Sequence, residues 1–301
     1  MPSFTSPVDS ATLFYRYYKP DGIAFRPQDR ETSDITLVFL HGWPMSSRMF
    51  EHLLVPLCET YRFPCVAPDR RGFGKSDWNT ATTSSIGYDT FVADLVGLLE
   101  HLDVKSFVLL GASMGTQESV LAYLKSRSIQ ERCKGFVWMG PNMPFPVQSP
   151  EHPLGPPKEL WDAIQDGLRA DRAKYVSESL PGIFAVQAGN EVSTKTLEQY
   201  ERIVDEADAV ALDKTTRILQ KDMSKELQEV AALGRVPIMI LHGDSDQGSP
   251  LEASSQIVKD MLPWADLKVY EKGGHGLYLT HAPQVIADIV GFVETISGGQ
   301  K

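Results

Sequence analysis

Ser113 lies in Gly111-Ala112-Ser113-Met114-Gly115, after the apolar run Ser106-Phe107-Val108-Leu109-Leu110 and before a helical pattern over Gln117–Leu124. A glycine-bracketed serine between a strand and a helix is the setting of the G-x-S-x-G nucleophile elbow. The turn is tight, so the serine backbone is strained and the residues two before and two after must lack a Cβ. The hydroxyl then stands at the carboxyl edge of a sheet, beside a helix N-terminus whose free N–H groups favour developing negative charge. The chemistry this implies is nucleophilic attack on a carbonyl.

A serine hydroxyl needs a base, and the base needs a carboxylate to orient it. Seven histidines are present. His41 sits in the turn after a strand and reads as a loop anchor. His52 and His101 fall in helices, His152 in a proline-rich loop, and His281 at a helix start. His242 directly follows a strand and reads as structural. His275, in Gly273-Gly274-His275-Gly276, occupies a loop after the last strand, free to reach across the sheet edge, and is the candidate base. Asp244 and Asp246 in His242-Gly243-Asp244-Ser245-Asp246 are the acid candidates, with the chain order Ser…Asp…His that this elbow carries. Asp246, further out on the loop, is favoured; Asp244 suits a turn-bracing role. The oxyanion formed on attack needs two donors. Met114 N–H is one. Pro44 has no N–H, so Trp43 N–H is the candidate for the second.

Two other motifs fail. Gly74-Lys75-Ser76 resembles a phosphate loop, but the upstream glycine position holds Asp69; Gly72-Phe73-Gly74 resembles a dinucleotide fingerprint, but the third glycine position holds Asp77. Asp69–Ser76 is expected to be a structural loop packed beneath the elbow.

The elements that must position these residues alternate. Strands are predicted at Ala11–Tyr18, with a hairpin partner near Ile23–Arg26, then at Ile35–Leu40, Phe63–Ala67, Phe107–Leu110, Lys134–Met139, Val236–Leu241 and Asp266–Tyr270. Helices are predicted from about Ser47, over Tyr88–Leu102, after Ser113, near Leu251–Met261 and over Pro283–Ile296. Each notable loop follows a strand, so Trp43, Ser113, Asp246 and His275 share one sheet edge. Between Pro141 and Pro157 the chain carries seven prolines, too irregular for core structure. Helical patterns follow at about Lys158–Arg169, Asp171–Leu180, Lys195–Glu206 and Ala209–Lys221. The expected organisation is a core of residues 1–140 and 235–301 with a helical cap inserted at 141–234. Phe145, Trp161 and Phe184, with Tyr175, Met139 and Met143 nearby, are the candidate walls of an acyl pocket.

Bulk properties set outer limits. The chain has 301 residues, 42% hydrophobic and 23% charged, as in a soluble globular protein. A net charge of −10 disfavours nucleic acid and anionic membranes as partners. Met1–Pro7 has no apolar or basic run, so no signal peptide is expected. No stretch approaches a membrane span. Cys58, Cys65 and Cys133 are odd in number and form no C-x-x-C pair, which points to a reduced, cytoplasmic setting without disulfides. No metal-ligand grouping is visible. Oligomeric state is not legible in the sequence.

Taken together, His41-Gly42-Trp43-Pro44, Asp69-Arg70-Arg71-Gly72-Phe73-Gly74-Lys75-Ser76, Gly111–Gly115, His242–Asp246 and Gly274-His275-Gly276 resemble the α/β-hydrolase fold. More closely they resemble the cofactor-free haloperoxidases, also called non-heme chloroperoxidases or perhydrolases. The cap segments Pro156–Ile164 and Leu168–Ala173 are also similar. The resemblance spans nearly the whole chain. It implies an α/β fold with a mostly parallel twisted sheet of about eight strands, helices on both faces and an inserted cap. It implies a Ser113–His275–Asp246 triad, oxyanion donors at Trp43 and Met114, and no cofactor. Such enzymes are serine esterases that can also form peracids from carboxylic acids and peroxide. Ala112 stands where relatives commonly have His or Phe, Thr116 where they have Gly, and the cap is longer around Leu180–Ser193, so the family's acyl preference is not carried over. Three functions are weighed: hydrolysis of an ester or lactone of a small-to-medium apolar acyl group, release or cyclisation of an acyl chain held on a carrier, and non-catalytic binding of a small molecule.

Overall fold

The computed structural model describes residues 2–20, 32–78, 86–150 and 152–298. Eight strands form one sheet: β1 (Ser3–Thr5), β2 (Thr12–Tyr18), β3 (Thr36–Leu40), β4 (Cys65–Pro68), β5 (Phe107–Ala112), β6 (Cys133–Met139), β7 (Ile238–Gly243) and β8 (Asp266–Tyr270), in the order β1-β2-β4-β3-β5-β6-β7-β8. β1 and β2 run antiparallel to their neighbours and the rest are parallel. β2 pairs with β1 and β4; the hairpin partner expected near Ile23–Arg26 lies outside the described residues.

The helices are α1 (Glu51–Val55), α2 (Tyr88–His101), α3 (Met114–Lys125), α4 (Arg127–Arg132), α5 (Lys158–Ile183), α6 (Thr194–Asp205), α7 (Ala209–Ile218), α8 (Ser224–Leu233), α9 (Ser255–Met261), α10 (Leu277–Thr280) and α11 (Ala282–Gly298). The central strands are apolar on both faces, and successive side chains point opposite ways. Val38, Leu40, Leu109, Trp138 and Ile240 therefore face one apolar cluster, with Phe91, Leu95 and Leu99 of α2, Val120 of α3 and Val258 of α9. Leu37, Phe39, Val108, Leu110, Met239 and Leu241 face the other, with Leu53 and Leu54 of α1 and Val285 and Ile289 of α11. Helices thus cover both faces of the sheet.

Helices α5 to α8 intervene between β6 and β7. The two patterns expected at 158–169 and 171–180 merge into α5, with a non-helical break at Asp171 (φ −159°, ψ 88°). α8 was not anticipated; it lies against α3 and buries Leu227 and Val230 in the first cluster. No helix of the described residues is long and apolar enough to cross a membrane.

Candidate active site

Ser113 occupies the sharp turn from β5 into α3, with φ 49° and ψ −116°, a conformation that L-residues adopt only under constraint. The constraint is the approach of helix to sheet. A Cβ on Gly115 would stand 2.1 Å from Leu40 O and 2.7 Å from Leu40 C, and one on Gly111 would stand 2.5 Å from Gly115 O. These neighbours are backbone and cannot rotate away. Gly115→Ala is therefore expected to destabilise the fold by about 3 kcal/mol or more, the upper range of overpacking, read as a lowered urea midpoint or loss of soluble protein. A native midpoint in this variant would contradict the geometry.

The loops after β7 and β8 are tied edge to edge: Ser245 N–H donates to Gly273 O (2.9 Å) and Asp244 N–H to Tyr270 O (3.1 Å). This brings Asp246 Oδ2 to 2.7 Å from His275 Nδ1. Asp246 is buried, and its other oxygen accepts the N–H groups of Gly248 and Ser249, both at 2.9 Å. Burial pushes the Asp246 carboxyl up, but the facing His275, His242 and the Ser249 N–H together hold it below the ordinary value. For His275, burial acts downward, and the Asp246 charge and hydrogen bond outweigh it, so its pKa lies above the usual 6.5. Asp244 is exposed and accepts a hydrogen bond from Ser245 Oγ. His242 lies buried beneath the loop, between Ser255 Oγ (2.6 Å) and Ser249 O (2.8 Å).

Ser113 and His275 line one cavity. Among the described hydrogen bonds none joins Ser113 Oγ to the imidazole; such bonds commonly tighten only around substrate. With Nδ1 held by Asp246, Nε2 is the nitrogen left to exchange a proton with Ser113.

The loop after β3 closes over the elbow. A Cβ on Gly42 would lie 3.3 Å from Ser113 Cβ, so the backbone passes directly beside Ser113. Neither Trp43 N–H nor Met114 N–H donates to a group of the described residues. His41 anchors the loop: its Nε2 accepts Arg70 N–H (2.9 Å), which leaves Nδ1–H to donate to Gly42 O (2.9 Å). Burial and the Arg70 charge push its pKa well down, so it stays neutral. Arg70 in turn donates to His41 O (2.8 Å) and to Glu118 of α3 (2.8 Å), linking loop and nucleophile helix through a buried ion pair. Asp69 accepts Ser47 N–H (2.8 Å) and Lys75 N–H (3.0 Å). The segment 69–76 is thus tied into the fold, with residues 69–73 buried and Lys75 exposed.

The cavity measures about 200 Å³. Trp161, Ile164 and Leu168 before the break in α5, and Tyr175, Val176, Leu180 and Ile183 after it, form much of its wall, joined by Met45, Val204 and Leu219. Among the described residues no Lys, Arg, Asp or Glu lines it. Trp161, a candidate from the sequence, lies on this wall. Phe145 and Phe184 are not on this wall, which corrects that expectation. Phe145 is half-buried and stacks on His152. Phe184 is fully buried edge-on to Tyr200 (4.8 Å) and packs against the backbone at Gly276, beneath the His275 loop. Just before it, Ile183 O accepts Gly276 N–H at 2.8 Å, so the end of α5 supports the loop that carries His275. Met139 and Met143 pack in the core clusters. The aliphatic stripes of α5 were missed; their i, i+3, i+4, i+7 spacing was the available signal.

Residues 35–282 match the family described as alpha/beta hydrolase fold. The chain belongs to the α/β-hydrolase family. A putative non-heme chloroperoxidase of Synechocystis is 31% identical to this hydrolase over 261 residues, 86% of this chain and 91% of the relative. A bifunctional esterase/perhydrolase of Acinetobacter calcoaceticus is 29% identical over 280 residues, 91% and 98% of the two chains. The crystal structure of a bromoperoxidase from Bacillus anthracis superposes with a TM-score of 0.83 at 26% identity, covering 97% of this hydrolase and 99% of that chain.

Proposed function

We propose that this α/β hydrolase cleaves carboxylic esters and lactones of small-to-medium apolar acyl groups through an acyl-Ser113 intermediate. The observation that carries the reading is the 2.7 Å Asp246–His275 contact beside an uncharged cavity that Ser113 and His275 share. In the first step His275 Nε2 takes the Ser113 hydroxyl proton as Oγ bonds to the carbonyl carbon. The oxyanion is held by Trp43 N–H and Met114 N–H. His275 then gives its proton to the departing alkoxide. In the second step it takes a proton from water, the hydroxide attacks the acyl group, and the acid leaves as Oγ regains its proton. Hydrogen peroxide in place of water would release a peracid, a route supported by the esterase/perhydrolase relative.

A cavity of about 150 Å³ accommodates benzene, so this one suits an acyl group of roughly six to eight carbon atoms. With no Lys or Arg among the described residues of the wall, an acyl chain ending in a carboxylate would lack a permanent counter-ion and should be turned over on the order of 100-fold less well. The test is a panel of oxoesters, lactones and thioesters of graded length and charge, with a fluorophosphonate probe of Ser113. Labelling of Ser113 with preferred turnover of uncharged medium-chain oxoesters is expected. Tight binding of such compounds with neither labelling nor turnover would overturn the reading.

A further inference from the structure

The oxyanion loop is pinned from three directions, and one pin comes from the insertion. His41 is held by Arg70, and Gly42 O accepts Met45 N–H at 3.0 Å. Trp43 itself is held through its side chain: indole Nε1 donates to Thr215 Oγ1 of α7 at 3.0 Å. Thr215 is fully buried. Its own hydroxyl proton goes to the carbonyls of Ala211 (2.8 Å) or Leu212 (3.0 Å), which leaves an oxygen lone pair for the indole. The threonine is thus oriented as an acceptor by the helix that carries it.

That helix has a built seat. Asp208, its N-cap, accepts Val210 N–H and Ala211 N–H and donates its own N–H to Gly72 O at 2.9 Å. Gly72 has φ 82°, and a Cβ there would stand 2.3 Å from Ala211 Cβ, so α7 rests directly on this glycine. Leu212 packs with Phe73 beside it. The Gly72-Phe73-Gly74 segment, which is no dinucleotide fingerprint, serves as the platform for α7.

We propose that Thr215 is a positioning residue: through the Trp43 indole it holds Trp43 N–H at the angle the oxyanion requires, so that the seated insertion completes the oxyanion hole. This rests on the hydrolase reading above. Losing one oxyanion donor outright lowers kcat by about 10²- to 10³-fold, and a donor freed to swing should cost part of that.

The test compares native protein with Thr215→Val, which keeps the volume and removes the acceptor, and Thr215→Ser, which keeps the hydroxyl. The readouts are kcat, KM, affinity for an aryl boronic acid that forms a tetrahedral adduct, and thermal midpoint. For Thr215→Val, kcat should fall about 10-fold or more and boronate affinity by a similar factor, with KM within about 3-fold. Thr215→Ser should stay within about 3-fold of native throughout. A Thr215→Val kcat within 2-fold of native, a loss confined to KM, or an equal loss in Thr215→Ser would overturn the proposal. Trp43→Phe deletes the donor side of the same bond and must reproduce the kcat loss; native kcat there overturns the proposal even where Thr215→Val does not fold. A native protein inert to every ester and to the fluorophosphonate would remove the hydrolase reading and this inference together. An active native enzyme with an unchanged Thr215→Val removes this inference alone.

Discussion

Ser113→Ala is expected to lower kcat by about 10⁶-fold on the best ester, and the Ser113→Ala/His275→Ala double variant to lower it no further. In the proposed mechanism the nucleophile and base act as one unit. Without Oγ there is nothing for Nε2 to deprotonate, and without Nε2 the hydroxyl attacks only at its intrinsic rate. The amides of Trp43 and Met114 would remain in both variants and sustain a residual rate above water. Alanine at position 113 keeps a Cβ in the same strained turn, so the fold should be retained, and a native thermal midpoint would show that the loss is chemical. Additive losses in the double variant, or a Ser113→Ala rate within about 100-fold of native, would mean that another group carries the reaction.

Asp246→Asn is expected to lower kcat by about 10⁴-fold. The buried side chain would keep its amide oxygen towards Gly248 and Ser249 N–H. Its new NH2 would face Nδ1, which would then have to accept, placing the ring proton on Nε2, where it cannot receive the serine's. A pH signature accompanies this. The base must be neutral, so kcat/KM should rise with pH as His275 loses its proton. In the native enzyme the midpoint should lie above 6.5, because Asp246 raises the imidazole's pKa. In Asp246→Asn the raising charge is gone while burial remains, so the midpoint should move to lower pH. A midpoint that stays in place would mean that the 2.7 Å contact does not govern the base.

Much of this site was legible in the sequence because its parts sit at forced positions. Strands β3, β5, β6 and β7 each carry an apolar run on both faces that a covered sheet accepts, so the loops after them had to share an edge. Ser113 stood out because two small residues flank it at fixed offsets between strand and helix. Asp246 could be favoured over Asp244 but not separated from it by spacing; which of two aspartates in one short loop turns inward depends on the backbone N–H groups of Gly248 and Ser249. The pocket wall was less legible. Phe145 and Phe184 are aromatic, but residue type does not say which way a side chain faces, and Phe184 lies under the His275 loop. The wall is largely aliphatic and comes from both sides of the break at Asp171, which joins two predicted helices into one. α4 was missed because only Ile129 of its six residues is buried. β1, three residues long, was too short to show alternation.

The bond from Gly276 N–H to Ile183 O has a practical corollary for redesign. Much of the cavity wall comes from α5, and the natural way to retune substrate choice would be to transplant that segment from another hydrolase. The same segment is a strut for the loop bearing the imidazole. A chimera whose graft ends one residue out of register would lose that brace while keeping every nominal reactive group, so dead hybrids of this kind need not signal a poorly shaped pocket. Grafts confined to the turns before Asp171, which line the cavity but leave the strut alone, are the ones that should exchange specificity and retain rate.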